Sequence, residues 1–399
     1  MANETKTTDI AAFITEYNQR SLMPIVRNET VLTRLADVET FPMGNGTQAV
    51  LRRRLPLEVI TSTTGEAADP TPVQFDGMKI TCDLVALTNA VKPSRLLKNT
   101  DFNQLRDIRD LVALNMAESL EKYNIDQISP YLLHYRADGD STYQKAFLAT
   151  SDGAAGGTTT ISTTLTEVDY HWGGNSTIGY LTCIGRRNKN YGVTVKTSDF
   201  TASSDTITHA AFPNQTKSGD RFWICIGTGL TTNDKITIDK LMDMQAFFED
   251  EQIKGASWQY PIAGGYGNRL LLGARDKRDI FKDTDWKAYQ QYKARSDMFD
   301  AYRIGNLVGM DPLGYSQEYR ESAAGAGSAT AALRNVLALN KHCFTRLVLT
   351  APHVETVMGP DSYNFLKRWF IIAWELEHAI GVTNSMAGMT LLTVPTTGS

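Results

Sequence analysis

From Asp101 to Ser129 the chain contains neither Gly nor Pro, and Leu105, Ile108, Val112, Met116, Leu120 and Tyr123 recur along it at steps of three and four. An apolar stripe of that period requires an α-helix with one face buried. Asp101 with Gln104 three residues on is a capping-box arrangement that satisfies backbone amides at a helix start. The pattern predicts about seven continuous turns, some 40 Å of helix. Leu111 and Leu114 are expected to widen the apolar face. A helix of this length is expected to be the backbone of a domain, not a lid.

The chain before this helix is extended. Residues 1–46, with Pro24, Pro42 and the turn Gly44-Asn45-Gly46, read as an arm carrying one short helix at 9–20. Residues 48–57 and 73–90 are strand candidates linked by 61–72, where Gly65, Pro70 and Pro72 stand, which makes 47–91 a long hairpin with a loose tip. Arg52, Arg53 and Arg54 are too many charges for a fully buried strand, so at least two of them should face solvent or a partner subunit. After the helix, 27 of the 93 residues in 141–233 are Ser or Thr and 11 are Gly, a composition that disfavours helix interiors. Runs such as Tyr191 to Val195, with 178–184 and 221–226, mark this stretch as a β-rich insertion.

Helical pattern returns at Asp239, with Leu241, Met244 and Phe248 on one side and Glu249, Asp250 and Glu251 at the far end, then at 274–280 and 285–299. Strand and turn follow at 304–314, a Gly/Ala/Ser linker at 322–332, and two extended runs at 364–380 and 389–394. The first of these runs is too long for an ordinary strand, so it must belong to a large sheet or bend once.

At 399 residues two or three folding units are expected. The net charge of −4 argues against a chain held to a polyanion by bulk positive charge. No apolar run approaches the length of a membrane span, and the N-terminus lacks the pattern of a secretory signal, so a cytosolic chain is expected. Cys82, Cys183, Cys225 and Cys343 are scattered without metal or disulfide spacing, so reduced, packed thiols are expected.

Few residues carry chemistry. Glu375 and His378 have the Glu-x-x-His spacing of a di-metal helix, but a second copy and facing glutamates are missing, and the apolar run just before them looks more like strand. Gly264-Gly265-Tyr266-Gly267 lacks the rest of a phosphate loop or a dinucleotide fingerprint, and there is no G-x-S-x-G. Adjacent acids at 249–251 and at Asp283 and Asp285 read as helix-end charge. No catalytic, cofactor or metal residue is assigned; an arm, a projecting hairpin and a long helix describe a chain whose surfaces are covered by copies of itself.

In this order of elements the chain resembles the major capsid proteins of tailed bacteriophages with the Hong Kong 97 type of fold. The residues that carry the likeness are the arm, the hairpin with its tip at Gly65, Glu66 and Pro70, the Asp101-capped helix, Arg269 to Leu272 leading into 276–281 and 283–292, Ile304 to Gly309, and Asp361 to Arg368 followed by 369–380 and 386–394. The resemblance implies an α+β Hong Kong 97-like capsid fold. It divides into an N-terminal arm (1–46), an extended β-hairpin or E-loop (47–91), a peripheral domain with the spine helix (92–140), the β-rich insertion (141–233), an axial domain (234–360), a peripheral return strand (361–388) and a C-terminal axial strand and tail (389–399). It further implies a non-enzymatic, self-assembling shell protein. Pentamers and hexamers would enclose double-stranded DNA without sequence-specific binding, in a virion assembled in the bacterial cytoplasm, with scaffolding, portal and decoration proteins as further partners and no membrane or cofactor. Subunit contacts are expected at Arg52, Arg53, Arg54, Glu66 and Asp69. The alternatives are an encapsulin-like compartment shell and, from a different class, a metal-dependent enzyme using Glu375 and His378.

Overall fold

The computed structural model describes residues 30–41, 46–54, 77–94, 102–139, 144–153, 160–162, 179–185, 188–201, 206–226, 230–251, 256–262, 265–291, 308–315, 334–357, 369 and 371–394. In chain order the elements are β1 (Asp37–Thr40), β2 (Gln48–Arg54), β3 (Gly77–Asp83), β4 (Val85–Val91), α1 (Phe102–Ile128), β5 (Leu133–Arg136), β6 (Gln144–Leu148), β7 (Thr160–Ser162) and β8 (Gly179–Cys183). Then come β9 (Thr194–Thr201), β10 (Thr206–His209), β11 (Arg221–Ile226), α2 (Ile238–Asp250), β12 (Tyr260–Ile262), β13 (Gly265–Leu272), α3 (Ala274–Lys282) and α4 (Thr284–Gln291). The last are β14 (Met310–Gly314), β15 (Arg334–Leu339), β16 (Phe344–Val357), β17 (Ile371–Val382) and β18 (Gly388–Thr393). They form two compact units, one from described parts of 30–49, 82–126 and 345–381, the other from parts of 50–81, 127–344 and 382–394.

The first unit is α1 on one face of a four-stranded sheet of order β1-β16-β17-β4. The helix has 27 residues. Val112, Met116 and Leu120 of the sequence stripe, with Ala113 and Ala117, pack on Val354, Ile372, Trp374 and Leu376. Leu111 does not widen that face: it is 65% exposed, because it lies about a quarter-turn off the stripe. Polar contacts pin helix to sheet, since the Asn115 side-chain oxygen accepts from Trp374 Nε1 at 3.1 Å and Asn89 Nδ2 at 2.8 Å.

The same helix fixes the start of the described chain. Glu121 is buried, and its carboxylate accepts the Leu32 and Thr33 amides at 2.9 Å each and the Thr33 hydroxyl at 2.6 Å. That satisfies the open donors of the short 3-10 turn Leu32–Leu35. Just beyond it β1 pairs in parallel with β16, Asp37 opposite Thr345 through Thr40 opposite Val348. Asp101 and the side chains of Gln104 and Leu105, the short helix expected at 9–20, and the extended stretch 361–368 lie outside the described residues.

The stretch 73–90, expected as one strand, serves two sheets. It breaks at Leu84, so that β3 pairs with β2 while β4 joins β17 in antiparallel register from Val91 opposite Ile372 to Val85 opposite His378. Residues 345–357, assigned from sequence to the axial stretch 234–360, belong to the first unit's sheet, and β5, assigned to the peripheral stretch 92–140, belongs to the second unit.

The second unit holds two sheets. One has the order β12-β13-β15-β18-β5, with β14 parallel to β13, and is covered by helices. Leu241, Met244 and Phe248 of α2, Ile280 of α3 and Trp286 of α4 pack against Leu270, Leu272, Val336, Ala338, Met389 and Leu391. The expected helix at 285–299 is described only as far as Gln291. The insertion forms a six-stranded sheet, β6-β11-β8-β9-β10-β7, around Phe147, Leu181, Phe212, Phe222 and Ile224. It is no separate module, because its Ile184 and Tyr191 belong to the same core as the helices. Arg136 on β5, fully buried, donates to the Ile226 carbonyl and pairs with Asp138, and Trp223 Nε1 donates to the His134 carbonyl at 2.9 Å. All four cysteines are buried and none is in a disulfide.

Removing the Glu121 carboxylate by Glu121→Ala leaves Leu32 and Thr33 without acceptors and Arg346 without the acid that raises its pKa. The expected loss is about 3–5 kcal/mol, read as a lowered denaturation midpoint together with fast hydrogen exchange at Leu32 and Thr33.

His134 and His378, with His209 lowered in the same direction by its burial, contribute to the response to acid. Burial lowers the His134 and His378 imidazoles to about 3, opposed at His134 by its bond to the Leu132 carbonyl and reinforced there by Lys196, and reinforced at His378 by Arg346. Since the unfolded histidines take up protons near pH 6.5 and the folded ones do not, stability is complete above that pH. It falls by roughly 1.4 kcal/mol per pH unit for each of the two below it. His378→Leu should shift the acid-unfolding midpoint to lower pH, and an unshifted midpoint contradicts this account.

Candidate assembly site: the root of the hairpin

Alternation along β2 sorts the three arginines. Arg52 and Arg54 face outward, whereas Arg53 points inward. Among the described residues the inward guanidinium meets no carboxylate: its Nη1 donates to the Tyr191 carbonyl at 2.7 Å and more weakly to the Thr383 carbonyl at 3.4 Å, and its carbon lies 4.8 Å from the centroid of the Tyr191 ring. Burial draws its pKa down to about 10, with Tyr191 and Cys183 acting in the other direction, so it stays cationic at neutral pH. Two carbonyl dipoles and an aromatic face substitute for the lost water.

Two turns build the receptor. Residues 188–193 are a loop ahead of β9, where sequence alternation had suggested a strand from Tyr191. Here the Tyr191 amide donates to the Asn188 carbonyl at 3.0 Å, and the Gly192 amide to the Cys183 carbonyl at 2.8 Å. Gly192 has φ +67°, and a Cβ on it would lie 2.5 Å from Arg53 Nη1 and 2.7 Å from Asn384 Oδ1. Only glycine meets both demands. The second turn follows β17, where the Thr383 and Asn384 amides donate to the Cys343 carbonyl at 2.9 and 3.0 Å, and the Ser385 amide donates to the Gly192 carbonyl at 3.2 Å. Three segments far apart in sequence, at 53, 191–192 and 383–385, therefore meet at one cation.

The arrangement ties β2 to the loop at 191–192 and the turn at 383–385 within the second unit; among the described residues it brings together no nucleophile, base or metal-ligand set. Glu66 and Asp69 lie outside the described residues. Glu375 and His378 are on strand β17, not on a helix, so a spacing of three puts them on opposite faces, Glu375 exposed and His378 buried against the Tyr123 ring at 5.3 Å. The metal-enzyme alternative built on that pair is therefore corrected, and no group of three metal-ligating side chains occurs among the described residues. Asp283 is structural as well, accepting the Ile238 amide at 2.8 Å and the Asp285 amide at 3.1 Å.

No protein-family model matches the chain, and no curated protein matches it in sequence. Solved structures do match. The capsid of Ralstonia phage GP4 aligns with 92% of this chain and 88% of its own at TM-score 0.54 and 7% identity. The capsid of cyanophage P-SCSP1u aligns with 92% and 89% at TM-score 0.50 and 9% identity. The chain thus has the fold of phage capsid subunits, the Hong Kong 97 type.

Arg53→Ala should cost about 1–3 kcal/mol, and Gly192→Ala a comparable about 1–3 kcal/mol through strain at its positive φ. Because both break one junction, the double variant should lose little more than the worse single. Additive losses in a double-mutant cycle contradict the anchor.

Proposed function

We propose that this chain is the major capsid protein of a tailed double-stranded DNA phage, assembling as pentamers and hexamers of a closed shell around the genome. The observation that carries the reading is a capsid-subunit fold shared over about nine-tenths of both chains. The β2–β3 ribbon fits it: one arginine roots the ribbon in its own subunit, while Arg52 and Arg54 are turned outward.

The mechanism is mechanical. The hairpin laps over a neighbouring subunit, α1 stiffens the unit it crosses, and the second unit packs about the capsomer centre. Arg52, Arg54, Glu66 and Asp69 make the contacts between copies, and Arg53 holds the strand that presents them. As the resemblance implies, the shell encloses DNA without a sequence-specific grip. Scaffolding, portal and decoration proteins complete the particle, which is assembled in the bacterial cytoplasm.

Expression with its scaffolding partner should give closed shells in negative-stain micrographs. Particles loaded with protein cargo in place of DNA would assign the chain to a compartment shell, and a compact monomer under all conditions would end the reading. Arg52→Glu should reduce assembled particles at least tenfold while the thermal midpoint of the subunit stays unchanged; normal particles contradict the contact.

A further inference from the structure

Helix α3 segregates its charges by sign. Asp276 and Asp279 are buried, whereas Arg275, Arg278 and Lys282 are exposed. Offsets of three and four residues put the three cations on one side of the helix. None of the three has an ion-pair or hydrogen-bond partner among the described residues.

Helix α2 of the same unit has the opposite character. Its exposed positions are Asp239, Met242, Asp243, Ala246, Glu249 and Asp250, which fall on one side of the helix. Met242 is 49% exposed among these acids. The C-terminal end of α2 opens on a cavity of about 560 Å³ lined by Asp220, Asp250 and Glu251, with Asn188 and Arg221 on its wall.

We propose that these two faces are the halves of one contact between copies: the α3 stripe of one subunit docks on the acidic face of α2 in the next, with a basic side chain entering the cavity at its end. This rests on the shell reading above. Two different patches on one chain make a heterologous contact, the kind that closes rings of any order, whereas a self-complementary patch would stop at a dimer. Complementary charge also sets register and suppresses wrong pairings. The chain's net negative charge disfavours the competing occupant, a nucleic-acid backbone on the α3 stripe.

The test is a charge swap. Arg275→Glu/Arg278→Glu/Lys282→Glu and, separately, Asp243→Lys/Glu249→Lys/Asp250→Lys should each lower the assembled fraction at least tenfold in sedimentation, with native melting retained. The chain carrying all six changes should assemble again. If a triple variant loses its native melt, the single pair Arg278→Glu and Glu249→Lys replaces it in the same design. The pairing is overturned if the α3 variant assembles like wild type, or if the six-fold swap fails to restore particles. It is equally overturned if shells form normally but retain less DNA, which assigns the stripe to the nucleic acid. Shells from wild type and α3 variant alike would sink only this pairing; a wild type that never forms shells would sink the shell reading as well.

Discussion

The packing of α1 on β16 and β17 is the contact on which the rest depends. A solvent-exposed helix gains little from propensity alone, and most of its stability in a protein comes from covering one face. Here the covering strands come from the far end of the chain, 345–357 and 371–382, so the first unit exists only when distant segments have met. Once Ile372, Trp374 and Leu376 cover Val112, Met116 and Leu120, the helix becomes a rigid base for polar contacts. Glu121 grips the turn at Leu32 and Thr33, and Asn115 ties Asn89 to Trp374. Each contact has value because the apolar layer holds its partners within reach.

The two units manage charge differently. In the first, a buried carboxylate meets backbone amides at the foot of the arm. In the second, a buried guanidinium meets backbone carbonyls at the foot of the ribbon. Both devices hold a segment through main-chain groups, which tolerate changes of neighbouring side chains and demand only that the backbone geometry be kept. Gly192 is where that demand becomes a demand on sequence.

Elements governed by local period were legible in the sequence. α1, α2 and α3 follow their apolar spacing closely, and β11 falls on the run at 221–226. The four-stranded sheet was not legible, because β16 carries Pro352 and His353 and looks broken. β1 pairs with Thr345 to Val348, so Pro352 lies beyond the β1 ladder. The anchors were hidden for another reason. Glu121 stands in a helix where an acid usually means solvent, and Tyr191 with Gly192 sits in an alternating run that resembles strand. What makes them special is a partner about 90 residues away in one case and 138 in the other, and no local pattern reports that. The resemblance carried by element order therefore reached the fold, while the residues that lock it needed coordinates.

The place of β18 in its sheet governs when a subunit becomes competent. It is the last of the described strands to be synthesised, yet it lies between β15 and β5 and completes both ladders. Until it emerges from the ribosome, β5 has no neighbouring strand to pair with in that sheet. A half-made chain therefore lacks the finished sheet, so the topology itself delays completion of the second unit until translation of the fold is done.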